Sequence, residues 1–150
     1  MYRDLLHRVA KEQARSGRTP QGPCPDVQLA RLRRRVRAEL GTELPAEYVD
    51  LLAHANGLDW NGVVIFASDT TPIVGHLGRS IAGIVEMNLG FRDDRRFEDL
   101  LVLGSDGLDI FTYRVSTGAY EVYDEVPHEL VADGLSFDAL MTRALTRSLH

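Results

Sequence analysis

Apolar residues recur at helical spacing in three clear segments of the chain and switch to strand-like runs between them. Leu29, Leu32, Val36 and Leu40 follow one another at intervals of three and four, so they share a helix face. Asp26 stands where an N-cap belongs, and Gly41 where a helix C-terminus favours glycine. A third helix opens at Leu44-Pro45, with Tyr48, Leu51, Leu52 and Ala55 on its buried side and Asn56-Gly57 as its stop. Ser136 is predicted to cap a last helix carrying Phe137, Leu140, Met141, Ala144, Leu145 and Leu149 on one stripe. Ahead of these, residues 1–15 read as a short helix. Ser16–Pro25, with three prolines and two glycines, is a linker.

Between the helices the period shortens. Val63-Val64-Ile65-Phe66, behind the turn pair Asn61-Gly62, predicts a strand. Residues 69–79 read as loop, and Ser80 as the cap of a short helix with Ile81, Ile84, Val85 and Leu89. Leu100–Leu103 predicts a buried strand closed by the turn Gly104–Gly107. Leu108–Val115 and Ala119–Tyr123 form a hairpin around Ser116-Thr117-Gly118. Helices, then antiparallel strands, then a helix argue an α+β fold, its antiparallel or mixed sheet packed by helices on one face. One domain of 150 residues suffices: residues 1–25 as a variable helix and linker, residues 26–150 as the core.

Charge changes the picture more than composition does. The net −5 divides unevenly. Residues 1–41 hold ten basic and four acidic side chains, a net +6; residues 42–150 hold seven and eighteen, a net −11. Two arrangements fit. A basic helical arm bearing Arg31, Arg33, Arg34, Arg35 and Arg37 lies on an acidic body, or an acidic face meets a basic partner. The acidic total argues against nucleic-acid binding, which needs a basic footprint. No apolar run approaches the roughly 20 residues of a membrane span. The charged opening Met1–Arg8 lacks the apolar stretch of a secretion signal, so the expected location is the cytoplasm.

Candidate chemistry is sparse. The five histidines are scattered, and Cys24 is the lone cysteine, in a proline-rich setting that reads as exposed or half-buried. No metal or other cofactor is expected. Gly78–Gly83 is one residue too long for a nucleophile elbow, and no phosphate-cradling glycine motif occurs. Glu98-Asp99 and Asp124-Glu125 are neighbours whose side chains diverge on a strand, a poor start for an acid/base pair. A non-enzymatic protein is expected; a site assembled from distant residues is the remaining enzymatic reading.

Four pieces, in order, resemble one family. Leu44-Pro45-x-x-Tyr48-x-x-Leu51-Leu52-x-x-x-Asn56-Gly57 is similar to the signature of the SUKH superfamily (the Smi/Knr-type domain), and its continuation to Phe66 to the YrhA-like branch. Glu86-x-Asn88-x-x-Phe91-Arg92, the stretch from Leu103-Gly104 through Asp109 to Tyr113, and Ser136-Phe137-x-x-Leu140 resemble further segments of that branch. Together they span about residues 28 to 146. The resemblance implies a sheet flanked by helices and no catalysis. It also implies an immunity protein that neutralises a cognate toxin of a polymorphic, contact-dependent or type VI secreted system by occluding its active site. A regulatory or scaffolding module with a cellular partner is the alternative. Leu44, Pro45, Tyr48, Leu51, Leu52, Asn56, Gly57, Glu86, Asn88 and Asp109 are then read as structural. Asp93, Asp94, Glu98, Asp99, Asp124 and Glu125 are the candidate toxin contacts, taken from the acidic balance of residues 42–150.

Overall fold

A computed structural model describes residues 1–76, 78–126 and 128–150. Its helices are α1 (Tyr2–Arg15), α2 (Asp26–Arg35), α3 (Ala46–His54), α4 (Ile84–Phe91) and α5 (Phe137–Ser148). Strands β1 (Leu58–Trp60), β2 (Val63–Ile65), β5 (Leu100–Ser105), β6 (Asp109–Arg114), β7 (Ala119–Asp124) and β8 (Leu130–Leu135) form a six-stranded sheet in the order β1-β2-β5-β6-β7-β8. All neighbours in it are antiparallel. Two short strands, β3 (Thr71–Pro72) and β4 (Ser80–Ile81), pair separately. The fold is α+β, with helices leading and a helix closing.

Central β5 is buried along Leu100, Leu101, Val102 and Leu103, so both faces of the sheet are covered there. Tyr120 and Tyr123 of β7, three residues apart, point to opposite faces. Phe137 of α5 meets the Tyr120 ring edge-on at 5.4 Å, and Tyr2 of α1 meets Phe137 at the same distance. On the other face His128 stacks on Tyr123, and Phe97 packs against both His128 and Phe91 of α4. The one-sided helical layer expected from element order is therefore corrected: the segment between β2 and β5 returns to cover the second face.

Tyr48, Leu51 and Leu52 are fully buried, as their spacing on α3 demands. The Tyr48 hydroxyl donates to the carbonyl of Phe66 at 2.5 Å. Several local expectations are revised. Asp26 makes no capping bond; Pro25 holds the N-cap position, and its carbonyl accepts from Leu29 N–H at 3.0 Å. Asp26 still favours the positive helix end from the first turn. The same helix finishes in a π turn, Val36–Leu40, before the left-handed Gly41. Pro45 stands at the N-cap of α3, next to the first turn as expected. Ser80 caps nothing: it belongs to β4, and α4 starts after Gly83. A side chain at Gly83 would collide with the backbone of Asp69 and Thr70, which fixes the close approach from which α4 departs. Leu89, placed on that helix's apolar face, is largely exposed. Cys24 is buried. Leu58–Trp60 is a strand, joined to β2 by Asn61 and Gly62, both at positive φ as a type I′ turn requires. Thr71–Pro72 is a strand within the stretch expected to be loop, and Leu130–Leu135 is a strand where the sequence pattern assigned no element. The strand from Leu100 extends through Gly104 to Ser105 and is buried as far as Gly104.

Two asparagine side chains complete the sheet where strands run out. Asn88 accepts from Val102 N–H at 2.7 Å and donates to the Val102 carbonyl at 2.9 Å, standing in for a strand beyond the end of β2. Asn56 accepts from Ser68 N–H at 2.9 Å and donates to its hydroxyl at 3.2 Å. Of the expected Asn56-Gly57 helix stop, only Gly57 takes the left-handed conformation. Asn56 turns inward.

Candidate protein-interaction surface

The arginine face of α2 is mostly engaged within the chain. Arg35 pairs with Glu39, Asp69 and Glu86, Arg31 with Asp69, and Arg37 with Glu43. These partners lie on α2 and its π turn, before α3, beside β3 and on α4. They are not the carboxylates at 93–99 and 124–125, so the basic-arm arrangement holds with different partners. Arg33 and Arg34 have no ion-pair partner among the described residues and line an open groove of about 710 Å³ between α2 and α3.

The six candidate carboxylates separate into two groups. In the connection after α4, Asp94 caps the 3-10 turn Arg95–Phe97 and pairs with Arg96 at 2.7 Å. Hydrogen bonds from the Arg96 side chain and backbone pull its carboxyl down to about 2. Asp99 accepts from Ser116 and pairs with Arg114 at 3.2 Å; these bonds hold its carboxyl below the ordinary range. Asp93 and Glu98 are exposed and form no ion pair among the described residues, but Arg92, Arg95 and Arg96 interleave them. Arg92 reaches back to the Leu40 carbonyl at 2.6 Å. This group is close to electrically balanced.

The second group is not. Asp124 and Glu125 close β7 and enter the turn to β8, where Glu129 and Asp133 add two exposed carboxylates. None of the four forms an ion pair among the described residues. The Phe91–Phe97–His128–Tyr123 stack brings the two groups' segments into contact. His128 sits in it at a positive φ of 72°, and burial lowers its pKa.

Exposed apolar residues gather at the same turn and strand. Val126 is 87% exposed, Leu130 50% and Val131 43%. Leu108, also exposed, joins them through its carbonyl, which accepts from Glu125 N–H at 2.8 Å. β8 pairs only with β7, and its outer backbone edge makes no hydrogen bond among the described residues. Sequence reasoning reached Asp124 and Glu125 but missed Glu129, Asp133, Leu130 and Val131. The available signal was charge spacing: residues 115–142 contain six Asp/Glu and no Arg or Lys.

The residues read as structural are built into the scaffold. Leu44 and Pro45 are buried, and Glu86 pairs with Arg35 at 3.2 Å. Asp109 pairs with Arg147 at 3.2 Å, while burial and nearby Asp106 push its carboxyl upward. Among the described residues no group of three His, Cys, Asp or Glu is placed to hold a metal ion, and no helix is long and apolar enough to cross a membrane. The chain matches no model of a known protein family and no curated protein sequence at a significant level.

Proposed function

We propose that this chain is a non-catalytic immunity protein, acting in the cytoplasm, that binds a basic toxin domain and blocks its active site by contact. The observation that carries the reading is the uncompensated acidic and apolar surface at Asp124, Glu125, Glu129, Asp133, Val126 and Leu130. Apolar residues ringed by charge of one sign are the composition of a surface that recognises a partner of opposite sign. The ordered SUKH-like segments support the same reading.

The test co-expresses the chain with toxin domains encoded by the open reading frames that neighbour its gene. Co-expression is expected to restore growth, through a stoichiometric complex that weakens as salt screens exposed charges. Growth arrest with no complex would overturn the proposal. Neutralisation at far less than one molecule per toxin would overturn its non-catalytic part.

A further inference from the structure

We infer that β8 is a docking edge that accepts an extended, arginine- or lysine-bearing segment of a partner protein as a seventh strand. This rests on the binding role proposed above and names the mode of contact. Strand addition needs an edge with free backbone N–H and C=O groups, and β8 provides one over Leu130–Leu135. It also needs side chains that choose the partner. Leu130, opposite Tyr123 in the register, lies on one face of the sheet, and Ala132, opposite Val122, on the other. A strand laid beside β8 would meet Leu130 and Val131 with its apolar residues. Its charged residues would meet Glu129 and Asp133.

Charge selects among the possible occupants. A second copy of this chain would set Glu129 and Asp133 against their own equivalents, and like charges directly opposite destabilise a strand pair. A neutral strand would leave the carboxylates partly desolvated and unpaired. A basic strand satisfies both. The register shifts between β7 and β8, together with Gly134 at a φ of 63°, bend this edge, so an added strand must follow the bend.

The opposite edge is closed to such addition. β1 is three residues long, Asp59 is paired with Arg79 at 3.2 Å, and the Arg18 guanidinium lies 5.6 Å from the Trp60 ring centre. Asn61 beside it donates to the Ser148 carbonyl of α5 at 2.6 Å.

The probe is a peptide of about eight residues, long enough to span β8, with alternating Arg and Val. Backbone hydrogen exchange on the intact protein, with and without peptide, reads the site, and fluorescence anisotropy of the labelled peptide reads affinity. Slowed exchange confined to residues 130–135 is expected. Glu129→Lys with Asp133→Lys should weaken binding roughly tenfold or more. An alternating Glu–Val peptide should not bind. An Arg–Val peptide with its ladder-facing amides N-methylated keeps its charge but should lose binding. Equal binding by the methylated peptide would mean surface adsorption and overturn the inference, as would protection away from β8 or none at millimolar peptide. A dimer in sedimentation that protects β8 without peptide would overturn it in favour of a second copy. Peptide capture at β8 without protection from the toxin would sink the immunity reading and leave the edge intact. Full protection by the double lysine variant would do the reverse.

Discussion

The two edges of the six-stranded sheet are built to opposite specifications. At the β1 side the chain spends polar groups on closure: Asn88 stands in for a missing strand at Val102, Arg79 and Arg18 cover β1, and Asn61 ties the hairpin to α5. At the β8 side the carboxylates form no ion pair among the described residues, and Val126, Leu130 and Val131 face solvent. Polar closure is concentrated at the first edge, while at the second Ala132 and Leu135 pack on the core and the exposed side chains take no part in it. Residues at the two ends should then respond differently to the same kind of substitution.

The largest effect is expected beneath the closed edge. Leu52→Ala should lower unfolding free energy by about 2–5 kcal/mol, through lost burial and the cavity left behind. Urea unfolding measures it, and an unchanged midpoint would remove α3 from the core. Asn88→Ala comes next. It strands the Val102 N–H and C=O in a buried setting, at about 1–3 kcal/mol for each group left unsatisfied. Faster amide exchange at Val102 should accompany the loss; if water fills the gap and exchange stays slow, the strand-substitute role fails.

A smaller effect separates paired from unpaired carboxylates. Asp94, Asp99 and Asp50 have carboxyls held below their ordinary range, by Arg96, by Ser116 with Arg114, and by Arg3 with Tyr2 respectively. A depressed native pKa contributes stability that is complete above the unfolded value near 4 and is lost as pH falls through the native value. Urea midpoints should therefore drop between about pH 4 and pH 2. Replacing Asp94 and Asp99 with Asn should flatten that slope. The smallest effect is expected at the open edge: Glu129→Lys and Asp133→Lys should change stability by no more than about 0.5 kcal/mol. A large loss there would mean that β8 carries the fold after all.

What the sequence revealed follows the same division. The core helices were legible because burial imposes a period: Leu51 and Leu52 on α3, and Phe137, Leu140, Met141, Ala144 and Leu145 on α5 with Ser136 as cap. The Ser136 hydroxyl does accept from Ala139 N–H, at 3.0 Å. β8 was illegible because Leu-Val-Ala-Asp-Gly-Leu has no alternation to read. An edge strand with only Ala132 and Leu135 packed on the core, and with register shifts along it, is not forced to have one. Ser80 misled because a serine before an apolar residue is an equally good strand residue. The close approach that decides the matter lies at Gly83, against residues distant in neither sequence nor space but unreadable from spacing. The acidic surface was half legible: total charge pointed to it, but only the fold shows that Arg96 and Arg114 neutralise Asp94 and Asp99, while Glu129 and Asp133 form no ion pair among the described residues.

The contact of α1 with α5 has a consequence for synthesis. Tyr2 N–H donates to the Asp138 carboxylate at 2.8 Å, across 136 positions of chain, and its ring lies against Phe137. A ribosome delivers these partners at opposite ends of its work on the domain. Until Phe137–Ser148 leaves the exit tunnel, α1 has its α3 partner Asp50 but not the ring of Phe137, and the side of Tyr2 that meets α5 waits uncovered. At roughly 5–20 residues per second, that interval lasts on the order of ten seconds. During it, the contact of α1 with α5 stays unmade, and that face of α1 is open to chaperones.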